Sequence, residues 1–137
     1  MEQRQLKFRS FDDGKMLTMP LNTNFGISRF FGMLRDDAIV MQFTGLKDAN
    51  DKEVYEGDIL REAPKNDWEE TNYSCFEVFF HDGDANSDYN IGFTMNRMHN
   101  HGSVCGGYIP SFKPKSLKKM CVIGNIYENS ELLSERS

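Results

Sequence analysis

The sequence predicts a mainly β fold, with many short antiparallel strands forming a small barrel-like or bifurcated, coiled sheet. Three observations predict it. Apolar and aromatic runs are short, and Gly, Pro, Asn or Asp interrupts them every few residues. Where a run can be phased it alternates with period two. No stretch holds the 3.6-residue period of a long helix. At 137 residues, with 12% aromatics, the chain is expected to form one domain over 1–137 with a real core. It carries no internal repeat, low-complexity segment or composition break.

The elements follow in order. Residues 7–11 (KFRSF) alternate, sending Phe8 to one face and Lys7 and Arg9 to the other, which reads as a first strand. Asp12-Asp13-Gly14-Lys15 is a turn, and Met16 to Met19 a return strand ended by Pro20. In 21–34, Phe25, Ile27, Phe30 and Phe31 hold neither period and Gly26 and Gly32 weaken a helix, so a loop with a short strand or helical turn is expected.

The organising stretch is 40–61. The apolar run 39–43 leads through Thr44-Gly45 to a polar segment, 47–52, whose Asp and Asn residues suit a hairpin tip and tolerate positive φ. Val54-Tyr55 returns, and Gly57-Asp58 punctuates before Ile59-Leu60. Gly57 is expected to supply a backbone angle or a close approach that a side chain would block. Segment 62–72 reads as an exposed polar loop, from which Trp68 is expected to fold back onto the core. Residues 73–80 (YSCFEVFF) form the clearest later strand. A turn-rich loop, 81–88, precedes a strand over 89–98 with Ile91, Phe93 and Met95 on one face. Asn100-His101-Gly102 and Gly106-Gly107 are expected to break it, and 111–119 reads as an exposed basic connection. Residues 121–127 form a last buried strand, with Leu132 and Leu133 docking the tail.

Four of these pieces resemble one family. MQFTGLKD (41–48) followed by EVYEGDIL (53–60) is similar to the signature of the YopX family of phage and prophage proteins. KFRSFD (7–12) resembles that family's opening, which more often carries Ala-Trp where this chain has Ser10-Phe11. VIGNIYEN (122–129) with Glu131-Leu132-Leu133 resembles its ending, with Ser130 where Pro is usual. The resemblance implies a compact β protein encoded by a bacteriophage or an integrated prophage, and it implies no activity.

Composition weighs against several classes. With 16 basic and 21 acidic residues the net charge is −5, which argues against a nucleic-acid partner because the overall field repels phosphate. The N-terminus MEQRQLKFRS has no apolar core of a signal peptide, and no run nears the roughly 18 apolar residues of a membrane span. Cys75, Cys105 and Cys121 are odd in number and widely spaced, as expected of reduced thiols in the cytoplasm of a bacterial host.

Each chemical candidate has a plainer reading beside it. Asp82, Asp84, Asn86 and Asp88 alternate like a calcium loop, but Ser87 stands where the turn Gly belongs and Phe93 where the closing Glu belongs. A polar turn explains them as well. His99 and His101 would project to one side of a strand, and His81 and Asp82 could complete a metal site with them; solvated histidines fit the same residues. Cys105 near His101 is the one local nucleophile–base pairing, against the default of an inert thiol. Lys113, Lys115, Lys118 and Lys119, beside Tyr108 and Phe112, form a basic-aromatic patch of the kind that binds single-stranded nucleic acid, or a solvated loop. No cofactor motif and no catalytic constellation is present. The expected function is therefore that of a non-enzymatic accessory protein, homo-oligomeric, that binds a host or phage protein.

Overall fold

The computed structural model describes residues 7–18, 32, 34–81, 92–101, 112–129 and 131, with only the backbone described at 81 and 97–101. Eight strands are described: β1 (Phe8–Asp12), β2 (Lys15–Thr18), β3 (Ile39–Lys47), β4 (Glu53–Tyr55), β5 (Asp58–Glu62), β6 (Tyr73–His81), β7 (Gly92–His101) and β8 (Met120–Asn125). Two short helices, α1 (Asp67–Thr71) and α2 (Pro114–Leu117), join them. The strands make two antiparallel four-stranded sheets, ordered β2-β1-β3-β4 and β7-β6-β5-β8, so the mainly β expectation holds. The expectations on 21–31, the 82–90 loop, Ile91, 102–110 and Leu132-Leu133 lie outside the described residues.

Turn chemistry sets the register. Asp13 (φ 51°) and Gly14 (φ 74°) both take positive φ, the signature of a two-residue type I′ turn, and Asp12 pairs with Lys15 across it. At the β3–β4 tip Asp51 is also left-handed, at φ 63°. There Asp48, 5% exposed, accepts from the main-chain N–H of Asn50 (2.8 Å) and Lys52 (2.9 Å) through Oδ1, and from Val122 (2.8 Å) through Oδ2. One carboxylate thus closes the tip and ties it to β8.

Only Glu56 and Gly57 separate β4 from β5, so the chain passes between the sheets through a two-residue corner. Gly57 has φ 84°, and a Cβ there would stand 3.1 Å from Met41 Sδ, so both expected reasons for glycine operate. The corner is bonded on several sides: Glu56 N–H to Gln42 O, Gly57 N–H to Val78 O, and Ile126 N–H to Gly57 O. The core of Val54, Leu60, Phe76, Val78, Met95, Leu117 and Met120 packs beside it, with Leu46, Phe112 and Val122 at its margin.

Three expectations are corrected. Segment 62–72 is not a plain loop: Asn66 accepts from Glu69 N–H and starts α1. Trp68 does not fold back onto the core; it is 57% exposed. The cause is the way α1 is held. Buried Arg61 donates to the carbonyls of Glu69 and Glu70, docking the helix by its C-terminal backbone and leaving its side chains outward. Within 111–119 the four lysines are exposed as expected, but a helical turn interrupts the connection and buries Leu117.

Candidate functional site

The first strand carries an unexpected burial. Its charged side faces inward: Lys7 is 6% exposed and Arg9 8%, whereas Phe8 is half-buried. Lys7 pairs with Glu53 and lies 5.5 Å from the Phe43 ring centroid. Arg9 Nη2 donates to Asp58 Oδ1 (2.6 Å) and to Glu56 O (3.1 Å), with its guanidinium 4.7 Å from the Tyr55 ring centroid. Asp58 Oδ2 accepts from Tyr55 N–H at 2.8 Å. Burial is the largest influence on the Asp58 carboxyl and holds it above its usual range, against the pull of Arg9. The Tyr55 phenol is pushed up to about 12, by burial first and then by Glu53. The cluster fastens β1 to the corner.

Burial raises the Cys75 thiol to about 11, and Cys121 is raised for the same reason, so both are poor thiolates. Cys105 lies outside the described residues.

The backbone spreads the candidate metal-ligand positions along one hairpin. His81 pairs with Gly92 at one end of the β6–β7 ladder, whereas His99 pairs with Cys75 and His101 with Tyr73 near the other. Six residues of β6 separate position 81 from position 75, about 20 Å at strand rise, while ligands sit about 2 Å from a zinc ion. His99 and His101 keep their i, i+2 relation on β7. Asp82 and the calcium-like aspartates lie outside the described residues, and no group of three His, Cys, Asp or Glu among the described residues could hold a metal.

The basic patch survives in part. Lys113, Lys115, Lys118 and Lys119 are exposed around α2, and none forms an ion pair among the described residues. Phe112 packs at the margin of the core and is not a free stacking platform; Tyr108 lies outside the described residues.

Among the described residues, β2 forms an edge of the first sheet. β2 pairs with β1 alone among the described residues, and three of its four residues are exposed. In a two-residue hairpin the pair flanking the turn exchanges both hydrogen bonds and the pattern then alternates. Lys15 and Leu17 therefore face β1 with their backbone groups, while Met16 and Thr18 present theirs outward. Leu17, Ser10 and Val40 lie in one cross-strand row and share a face. Leu17 is 42% and Val40 37% exposed. The Asp-Gly turn signals this hairpin in the sequence, but nothing there tells that its second strand is an edge.

The profile of a family described as "YopX protein" matches residues 22–134. Among solved structures, the crystal structure of protein EF1440 from Enterococcus faecalis is similar, with a TM-score of 0.60 and 26% identity over 96% of this chain and 100% of that one. No curated protein matches the chain.

Proposed function

The chain belongs to the YopX family, and from that premise we propose that it is a phage- or prophage-encoded accessory protein that works without catalysis. It binds a host or phage protein in the cytoplasm of the bacterial host, by strand addition along β2. The single observation behind this reading is the β2 edge, with one neighbour among the described residues and exposed Leu17 in line with Val40. An edge of this kind offers unpaired main-chain donors and acceptors, and alternate side chains supply specificity. The buried Arg9–Asp58 pair is in keeping with the non-enzymatic part, because its charges hold β1 to the corner.

The test is a tagged pull-down from host lysate, nuclease-treated, comparing the native chain with Thr18→Pro. That substitution removes an outward N–H and leaves the β1 ladder intact. A partner retained by the native chain and lost by the variant supports strand addition. Equal recovery by both removes β2 as the docking edge.

A second reading, contact with single-stranded nucleic acid, is favoured by the four exposed lysines, none of which forms an ion pair among the described residues. It requires binding that weakens steeply with salt and disappears when all four become Glu.

A further inference from the structure

Two oppositely charged surfaces meet at one end of the second sheet. Glu62 pairs with Met120, and Ala63 N–H donates to Lys119 O, so the chain entering α1 and the chain leaving α2 run side by side. On the α1 side stand Glu62, Asp67, Glu69 and Glu70 with Lys65, a balance of four negative and one positive, net −3. On the α2 side, 113–119 carries Lys113, Lys115, Lys118 and Lys119 and no acid, net +4. No ion pair joins the two sets among the described residues. Trp68 projects from the acidic side, 57% exposed, on a helix that buries none of its own residues.

We infer that this end of the molecule is a self-association surface, on which α1 of one copy docks against α2 of a second copy and the reverse contact forms about the same two-fold axis. An exposed Trp is costly to leave in water and is a characteristic anchor of protein interfaces. The charges select the occupant. A polyanion drawn to the lysines meets the acids of α1 beside them, and a basic protein drawn to Trp68 meets the lysines. Only a surface bearing both signs in matching order satisfies both patches, and a second copy carries it by construction. A two-fold contact uses each complementary pairing twice. The inference gives the expected homo-oligomer an interface; it uses neither β2 nor the row of Leu17, so the two fail separately.

Charge reversal in two variants of the full chain tests it. One carries Lys113→Glu, Lys115→Glu, Lys118→Glu and Lys119→Glu; the other carries Glu62→Lys, Asp67→Lys and Glu70→Lys, sparing Glu69, whose carboxylate accepts from Lys65 N–H. Sedimentation velocity at low salt is expected to show a dimer for the native chain, weakened at least about tenfold in each variant alone as several attractive pairs become repulsive. An equimolar mixture of the two is expected to restore the dimer, because every contact is again between unlike charges. Trp68 is the one tryptophan in the chain, so its emission should shift to the blue on association and back at high salt. A native chain that stays monomeric at low salt overturns the inference, and an oligonucleotide held by that monomer hands the lysines to nucleic acid. A dimer indifferent to both reversals, or a mixture that does not recover, also overturns it. Thr18→Pro must leave the dimer intact; its loss there would place the contact at β2 instead.

Discussion

Removing the Asp58 carboxylate should cost more stability than any other single side-chain truncation among the buried polar residues. In Asp58→Ala, Arg9 stays 8% exposed and charged but loses its 2.6 Å partner, and Tyr55 N–H loses its acceptor. Arg9 Nε already lacks a partner, so the guanidinium would be left with Glu56 O, a long contact to Met41 Sδ and the Tyr55 ring. Breaking a buried pair from one side costs about 3–5 kcal/mol, a large part of the roughly 5–15 kcal/mol that holds a domain together. With a urea slope of about 1–3 kcal/mol/M, the midpoint should fall by at least about 1 M. Far-UV circular dichroism is the proper readout, because Trp68 is too exposed to report on the core. The companion variant Arg9→Met/Asp58→Leu removes both charges and should recover much of the loss, since an apolar pair of similar volume has no desolvation cost. The reasoning is refuted if Asp58→Ala costs under about 1 kcal/mol, or if the double variant is no more stable than the single one.

Other substitutions probe the same frame. Gly57→Ala should destabilise by about 1–2 kcal/mol for the left-handed φ alone, with more from the 3.1 Å approach to Met41; a thermal midpoint unchanged from native would contradict it. Asp48→Ala leaves three main-chain N–H groups without their acceptor, and water can replace it at exposed Asn50 and Lys52 but less well at half-buried Val122. A loss of about 2 kcal/mol is expected, together with faster amide exchange at Val122 by NMR. Glu77 is half-buried with no partner among the described residues, and burial raises its carboxyl above the ordinary 4.5. Because the folded protein holds that proton more tightly than the unfolded chain, this contribution is whole below 4.5 and is lost as pH rises through the raised value. Glu77→Gln should therefore stabilise at pH 7, by less than about 1 kcal/mol given the solvent around it, and should bring no gain at pH 4; thermal melts at the two pH values decide.

The sequence made the turns legible and the burial of charge illegible. Asp13-Gly14, Asp51 and Gly57 announce their backbone angles by residue type, and all three adopt them. Tyr73 to His81 announces itself by its aromatics, since few other structures hold so many in eight or nine residues. Lys7 and Arg9 could be assigned a common face by alternation but not an inward one, because their partners Glu53 and Asp58 lie 46 and 49 positions away. Trp68 was hidden for the opposite reason. Hydrophobicity says it should be inside, and it is outside because Arg61 grips the carbonyls of its helix. Position 81 stands at the other end of the β6–β7 hairpin from positions 99 and 101, because a strand separates residues by about 3.3 Å each.

The corner at Glu56-Gly57 has a consequence for how the gene could be rearranged. A fused domain placed between Asp13 and Gly14 would lengthen an exposed tip and leave both sheets as they are. The same insertion at Gly57 would sever the short covalent step between β4 and β5 and displace the hydrogen bonds to Gln42, Val78 and Ile126. The two halves of the gene would then encode two four-stranded pieces, each missing part of its support. A split between residues 56 and 57 is accordingly where fragment complementation should fail, and the β1–β2 tip is where an inserted domain should be tolerated.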